Sequence, residues 1–240
     1  KRKTVMFPLR DHAPRWSFPG VTLALILANV AIFLYQFSLS STSPQTMHAF
    51  VMTFGAIPAR VGAAMAGDYS LVMGVGPLLT SIFLHGGWMH LIGNMWFLWI
   101  FGDNIEDELG HGVYLIFYVI SGLMASVVHI WISPSSNIPI VGASGAIAGV
   151  MGAYMVRFPM SRVVTLIPLF IIFTTIELPA FVLLIYWFGI QFVSGAMTLD
   201  EASGGGVAWW AHVGGFLTGI VLIWLLRPQR RHYHRTYRHT

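Results

Sequence analysis

Ser144, in the run Gly142-Ala143-Ser144-Gly145, and His212 each sit at the head of a strongly apolar stretch. A hydroxyl and an imidazole are the two groups that nucleophilic acyl transfer needs. Each has an ordinary reading when taken alone. A membrane serine commonly bonds back to a carbonyl one turn earlier, or across to a neighbouring helix. Histidine inside a span more often marks a relay, a ligand or a base. His90 and Asn94 form a second set. Four residues apart, they share one face of a helix, and their N–H groups are donors suited to a developing oxyanion. The bland alternative is a buried hydrogen-bonded pair that joins helices.

Chemistry at these positions requires elements that bring them together. The chain has 240 residues, of which 56% are apolar and 9% charged, with a mean hydropathy of +0.71. A soluble domain carries about 25% charged residues, so lipid has to be the solvent. The chain reads as an integral membrane protein of one domain. It contains no cysteine, which excludes a disulfide framework and thiolate metal sites. Six stretches are predicted to span: Val21–Leu39, Ser81–Phe101, Val113–Ile132, Val141–Val156, Pro179–Ala196 and Val207–Leu226. Segment 1–20 precedes them as a cytoplasmic piece, and 227–240 follows as a basic cytoplasmic tail facing anionic headgroups. Val163–Ile176 is apolar but short and interrupted by Pro168; it reads as a lead-in near the interface, not a seventh span. No cleavable signal is evident ahead of the first span.

With six spans and the N-terminus inside, Arg60 is the single outside member of the thirteen basic residues, as the positive-inside rule requires. Spans two, four and six then begin at the outer face. Ser144 falls ~5 Å and His212 ~8 Å below the start of their helices, at about 1.5 Å per residue. Gly142, Gly145, Gly149 and Gly152 recur at intervals of three and four, as do Gly215 and Gly219. Small residues so spaced let membrane helices approach closely. For Gly145 a role in exposing its backbone N–H stands beside the packing role.

H-x-x-x-N at His90/Asn94, G-A-S-G at Gly142–Gly145, and A-H-x-G-G-x-x-x-G from Ala211 to Gly219 together resemble the rhomboid family of intramembrane serine proteases. The similarity runs from about Val21 to Leu226. It implies an all-α membrane protein, a six-transmembrane-helix bundle with serine endopeptidase activity. It implies Ser144 as nucleophile and His212 as general base in a dyad, with His90, Asn94 and the Ser144 backbone N–H as oxyanion hole. His85, Gly142 and Gly145 have supporting places. The expected partners are transmembrane protein substrates and the lipid bilayer, with no nucleic acid, cofactor or metal; oligomeric state stays open. The membrane expected by default is a prokaryotic plasma membrane. Spans four and six contain no Asp or Glu, which agrees with a dyad.

Two departures stand out. Gly76-Pro77 occupies positions where many members have Trp-Arg, and Ala148 stands where many have an aromatic residue stacked on the histidine, so the orientation of His212 is open. Rival readings are an inactive rhomboid-like binder of membrane helices and a transporter with a polar path through His85, His90, Asn94 and His212. No H-E-x-x-H is present for a zinc protease. The fifth span and the loop Ser194–Gly206 are candidate lid material. Glu177 is expected at the inner or interfacial edge, and His129 in a structural role. Asp103, Glu106, Asp107 and Glu108 are expected as a solvated inner loop, and Ser40–Thr80 as a semi-apolar outer loop partly sunk in the leaflet.

Overall fold

The computed structural model describes residues 6–169, 172–198 and 207–226. Its elements in chain order are β1 (Phe7–Asp11), α1 (Gly20–Thr42), α2 (Pro44–Phe54), α3 (Pro58–Ala66), α4 (Leu71–Val75) and α5 (Pro77–Thr80), then a 3₁₀ turn, Ser81–Phe83. They continue with α6 (Trp88–Leu109), α7 (His111–Ile132), α8 (Ser144–Arg157), β2 (Arg162–Leu169), β3 (Ile172–Pro179), α9 (Ala180–Met197) and α10 (Trp209–Leu226). All six expected stretches are mainly helical. By length and composition α1, α7, α9 and α10 can each cross a membrane; a fifth crossing results if Leu71–Phe83 and α6, bent by 75°, are one span. Their outward faces carry Leu27, Ile116, Ile185 and Trp224, apolar surface that lipid covers at no cost.

The helix α8 is the centre of the bundle, with every residue from Gly145 to Tyr154 buried. Its 14 residues make it about 21 Å long, short of the roughly 30 Å hydrocarbon core. The glycine stripes explain how α10 lies against it. A Cβ on Gly215 or Gly219 would collide with the backbone carbonyls of Gly145 and Gly149, and one on Gly152 would strike the carbonyl of Phe216. Gly145 itself faces Ala125 of α7, 2.6 Å from where its own Cβ would stand. Its packing role is therefore visible in the fold.

Several expectations need correction. Helix α6 starts seven residues later than the expected Ser81 and runs on to Leu109. Asp103, Glu106, Asp107 and Glu108 therefore lie on its last turns and not in a solvated loop. Glu106 is fully buried and accepts from the Val21 and Thr22 N–H groups at 2.8 Å each. The N-cap of α1 is Pro19, which supplies no side-chain acceptor, so a carboxylate from another helix caps it. Asp107 accepts from Ser17, Asp103 pairs with Arg15, and Glu108 pairs with Arg157.

The Val163–Ile176 lead-in is a β-hairpin, β2–β3, with β1 added on its other edge as an antiparallel sheet in the order β1-β2-β3. Alternation accounts for it: Val163 and Thr165 are buried while Arg162 is exposed. That period of two is a strand pattern. Glu177 sits at its edge, half exposed and 3.9 Å from Arg162.

Residues 40–80, expected as one loop, hold the last residues of α1 and then α2 to α5, with Gly76-Pro77 at the joint between the last two. This layer is anchored without the usual Trp-Arg pair. Arg60 donates to the Met52 carbonyl, Thr80 Oγ1 to the Phe54 carbonyl at 2.7 Å, and Ala56 pairs with Ile140 as an antiparallel bridge. The glycine loop Ser203–Gly206, expected as lid material, and the basic tail 227–240 lie outside the described residues.

Candidate active site

Ser144 is the first residue of the short helix α8, and it lines a cavity of about 1470 Å³. Ser144, His212, His90, Asn94 and His129 all line this cavity. His212 lies in the first turn of α10, and the glycine contacts set α10 directly against α8. Ser144 Oγ and His212 Nε2 are 2.8 Å apart, so two residues separated by 68 positions meet at hydrogen-bond distance. Ser144 is the first residue of α8, where backbone N–H groups lack intrahelical acceptors and the helix dipole favours negative charge.

His90 and Asn94 approach from α6. The Gly86 N–H donates to His90 Nδ1 at 3.3 Å, which places the ring proton on Nε2 as an available donor. That Nε2 is 2.7 Å from the position a Cβ on Gly142 would take, and Asn94 Nδ2 is 3.6 Å from it. Gly142 has φ +124°, a conformation that side chains rarely adopt. Glycine there admits the α6 donors to the backbone just ahead of Ser144. The Gly142 N–H donates to the Ser81 carbonyl at 2.9 Å, which fixes this approach.

His85 lies in the break before α6, almost fully buried. Its Nε2 and Asn94 Nδ2 are 2.9 Å apart. Gln36 of α1 clamps its backbone on both sides, accepting from the His85 N–H at 3.0 Å and donating to its carbonyl at 3.3 Å. His85 thus holds Asn94. His129, in the last turn of α7, lines the same cavity.

Gln191 was missed by the reading of the sequence. It lies on α9, is buried, and places Oε1 2.7 Å from His212 Nδ1. Trp187, one turn earlier on α9, sets its ring 5.9 Å from that of His212 at 36°. Ala148 supplies no ring, and α9 supplies one in its place. A glutamine in an apolar span was the available signal, since polar side chains there are rarely idle.

Fold and site define a helical integral membrane protein with a cavity that gathers Ser144, His212, His90 and Asn94. The model of the rhomboid domain matches residues 74–229, and the chain belongs to the rhomboid family. It is similar to RHOMBOID-like protein 5 of Arabidopsis thaliana, 32% identical over 63% of this chain and 45% of that protein. It is also similar to Rhomboid protease GluP of Bacillus subtilis (strain 168), 30% identical over 65% of this chain and 27% of the relative. A third relative is Rhomboid-like protein 11, chloroplastic, of Arabidopsis thaliana, 35% identical over 62% of this chain and 51% of that protein. The chain thus spans about half the length of these relatives, or less. Plant and bacterial relatives stand side by side, one of them named for the chloroplast, so the expected prokaryotic plasma membrane finds no support in the match.

Proposed function

We propose that this chain is an intramembrane serine endopeptidase that cleaves transmembrane segments of other proteins. The observation that carries the reading is the 2.8 Å contact between Ser144 Oγ and His212 Nε2 inside a cavity at the N-terminus of a buried helix. In this reading residues 21–226 are the protease unit and α8 is a sixth crossing, completed to the surface by the cavity. The basic residues Arg10, Arg15, Arg157 and Arg162 around the sheet support a cytoplasmic position for that end, and in this reading the cavity faces the other leaflet.

His212 Nε2 takes the Ser144 proton as Oγ attacks a peptide carbonyl. The oxyanion is held by His90 Nε2–H, the Asn94 amide and the Ser144 backbone N–H. The imidazolium gives its proton to the leaving amine. Water, entering through the cavity, then hydrolyses the acyl-enzyme with His212 again as base. The cavity exceeds the ~300–1,000 Å³ of a small-molecule pocket and suits a stretch of unwound peptide. A hydrogen-bonded helix hides its carbonyls, so helix-breaking residues favour cutting.

The test is labelling with a serine-directed phosphonate in detergent, alongside cleavage of a reporter membrane protein. Wild type should be modified at Ser144, with labelling lost in Ser144→Ala and strongly suppressed in His212→Ala. A Ser144→Ala variant that still cuts the reporter defeats the assignment. A wild type that binds the reporter without labelling or cutting it belongs with inactive family members.

A further inference from the structure

His212 has two ring nitrogens, and only Nε2 faces Ser144. Nδ1 faces Gln191 Oε1 at 2.7 Å. A carboxamide oxygen accepts and never donates, so this contact requires the ring proton on Nδ1 and leaves the Nε2 lone pair toward the serine hydroxyl. With the proton on Nε2 the ring would donate to Ser144 and could not take its proton. The tautomer of the base is therefore set from α9, a helix that contributes no reacting group. The same helix supplies Trp187 against the ring, while Trp209 of α10 stands edge-on to it at 6.3 Å. α9 is seated on α10 near its far end, where Gly195 lets Trp210 close: a Cβ there would lie 3.0 Å from the indole.

We infer that Gln191 is a positioning residue for His212, and that through it the seating of α9 sets whether the Ser144–His212 pair is competent. This inference rests on the protease reading and deepens it.

The experiment compares wild type, Gln191→Leu and Gln191→Glu in the full chain in detergent micelles. ¹⁵N NMR of histidine-labelled protein, with the His212 signals assigned by their loss in His212→Ala, should show the Nδ1–H tautomer in wild type and its loss in Gln191→Leu. Turnover of a reporter membrane protein should fall about 10–100-fold in Gln191→Leu, the usual loss when a partner that orients an imidazole is removed. KM should stay within about twofold, and Gln191→Glu, which keeps an acceptor at the same reach, should recover most of the rate. An unchanged tautomer in Gln191→Leu overturns the inference. So does a rate loss that Gln191→Glu fails to recover. If wild type neither cleaves nor is labelled by the phosphonate, the protease reading falls, and the NMR comparison still decides whether Gln191 sets the tautomer.

Discussion

Asn94 serves two neighbours at once. Its amide nitrogen meets His85 Nε2 at 2.9 Å and also faces the backbone at Gly142, so one side chain links a buried anchor to the proposed oxyanion position. Asn94→Ala should lower turnover of a reporter substrate by about 10²–10³, the loss typical of one oxyanion donor. Phosphonate labelling should slow with it. A variant that keeps the wild-type turnover would remove Asn94 from the reacting site and leave it a structural partner of His85. The four-residue spacing of His90 and Asn94 was legible because a helix maps that interval onto one face. The clamp of Gln36 on His85 was not, since it joins positions 49 apart through a break in the chain that no periodicity marks.

At the level of elements, α8 and α10 are held by backbone-to-backbone approach, and the glycine spacing announced it. Gly219→Ala places a methyl group against the Gly149 carbonyl, where no flexible side chain can give way. Overpacking of this kind costs about 1–3 kcal/mol, occasionally more. A fall in the thermal unfolding midpoint in detergent is the expected outcome. Activity should fall further than stability alone explains, because the same contact sets the distance between Ser144 and His212. An unchanged midpoint would show that the helices can part without loss. The hairpin β2–β3 was hidden by composition: its residues are as apolar as a span, and Pro168 reads equally as a broken helix or a turn. Alternate burial along β2 and pairing with β1, some 155 positions earlier in the chain, mark the strand, and both arise only on folding.

Across the whole molecule, the polar groups are divided between two ends. One end holds the cavity with Ser144 and His212; the other holds the sheet, the acidic last turns of α6 and the arginines that answer them. Asp11 belongs to the second end, accepting from Tyr154 Oη and from the Ala13 N–H at 3.2 Å. Burial, the largest influence, pushes its carboxyl above the ordinary value of 3.8, against the opposing pull of these hydrogen bonds. The folded state then holds this proton more tightly than the unfolded chain does. Stability from this group is present at low pH and is lost as pH rises from about 4 through the raised value. Thermal unfolding of wild type against Asp11→Asn across that range should show a steeper fall in wild type; equal slopes would contradict it.

The sequence by itself determined the solvent, the helices, the end of the bundle at which Ser144 and His212 stand, and the stripes that let their helices touch. These are local quantities: hydropathy, period and residue size read along a single element. Tertiary structure alone decided that Glu106 caps α1, that a sheet closes the opposite end, and that Gln191 faces the imidazole. Each of these depends on a contact between distant segments, where a polar atom leaving water takes whichever partner the packing brings within reach.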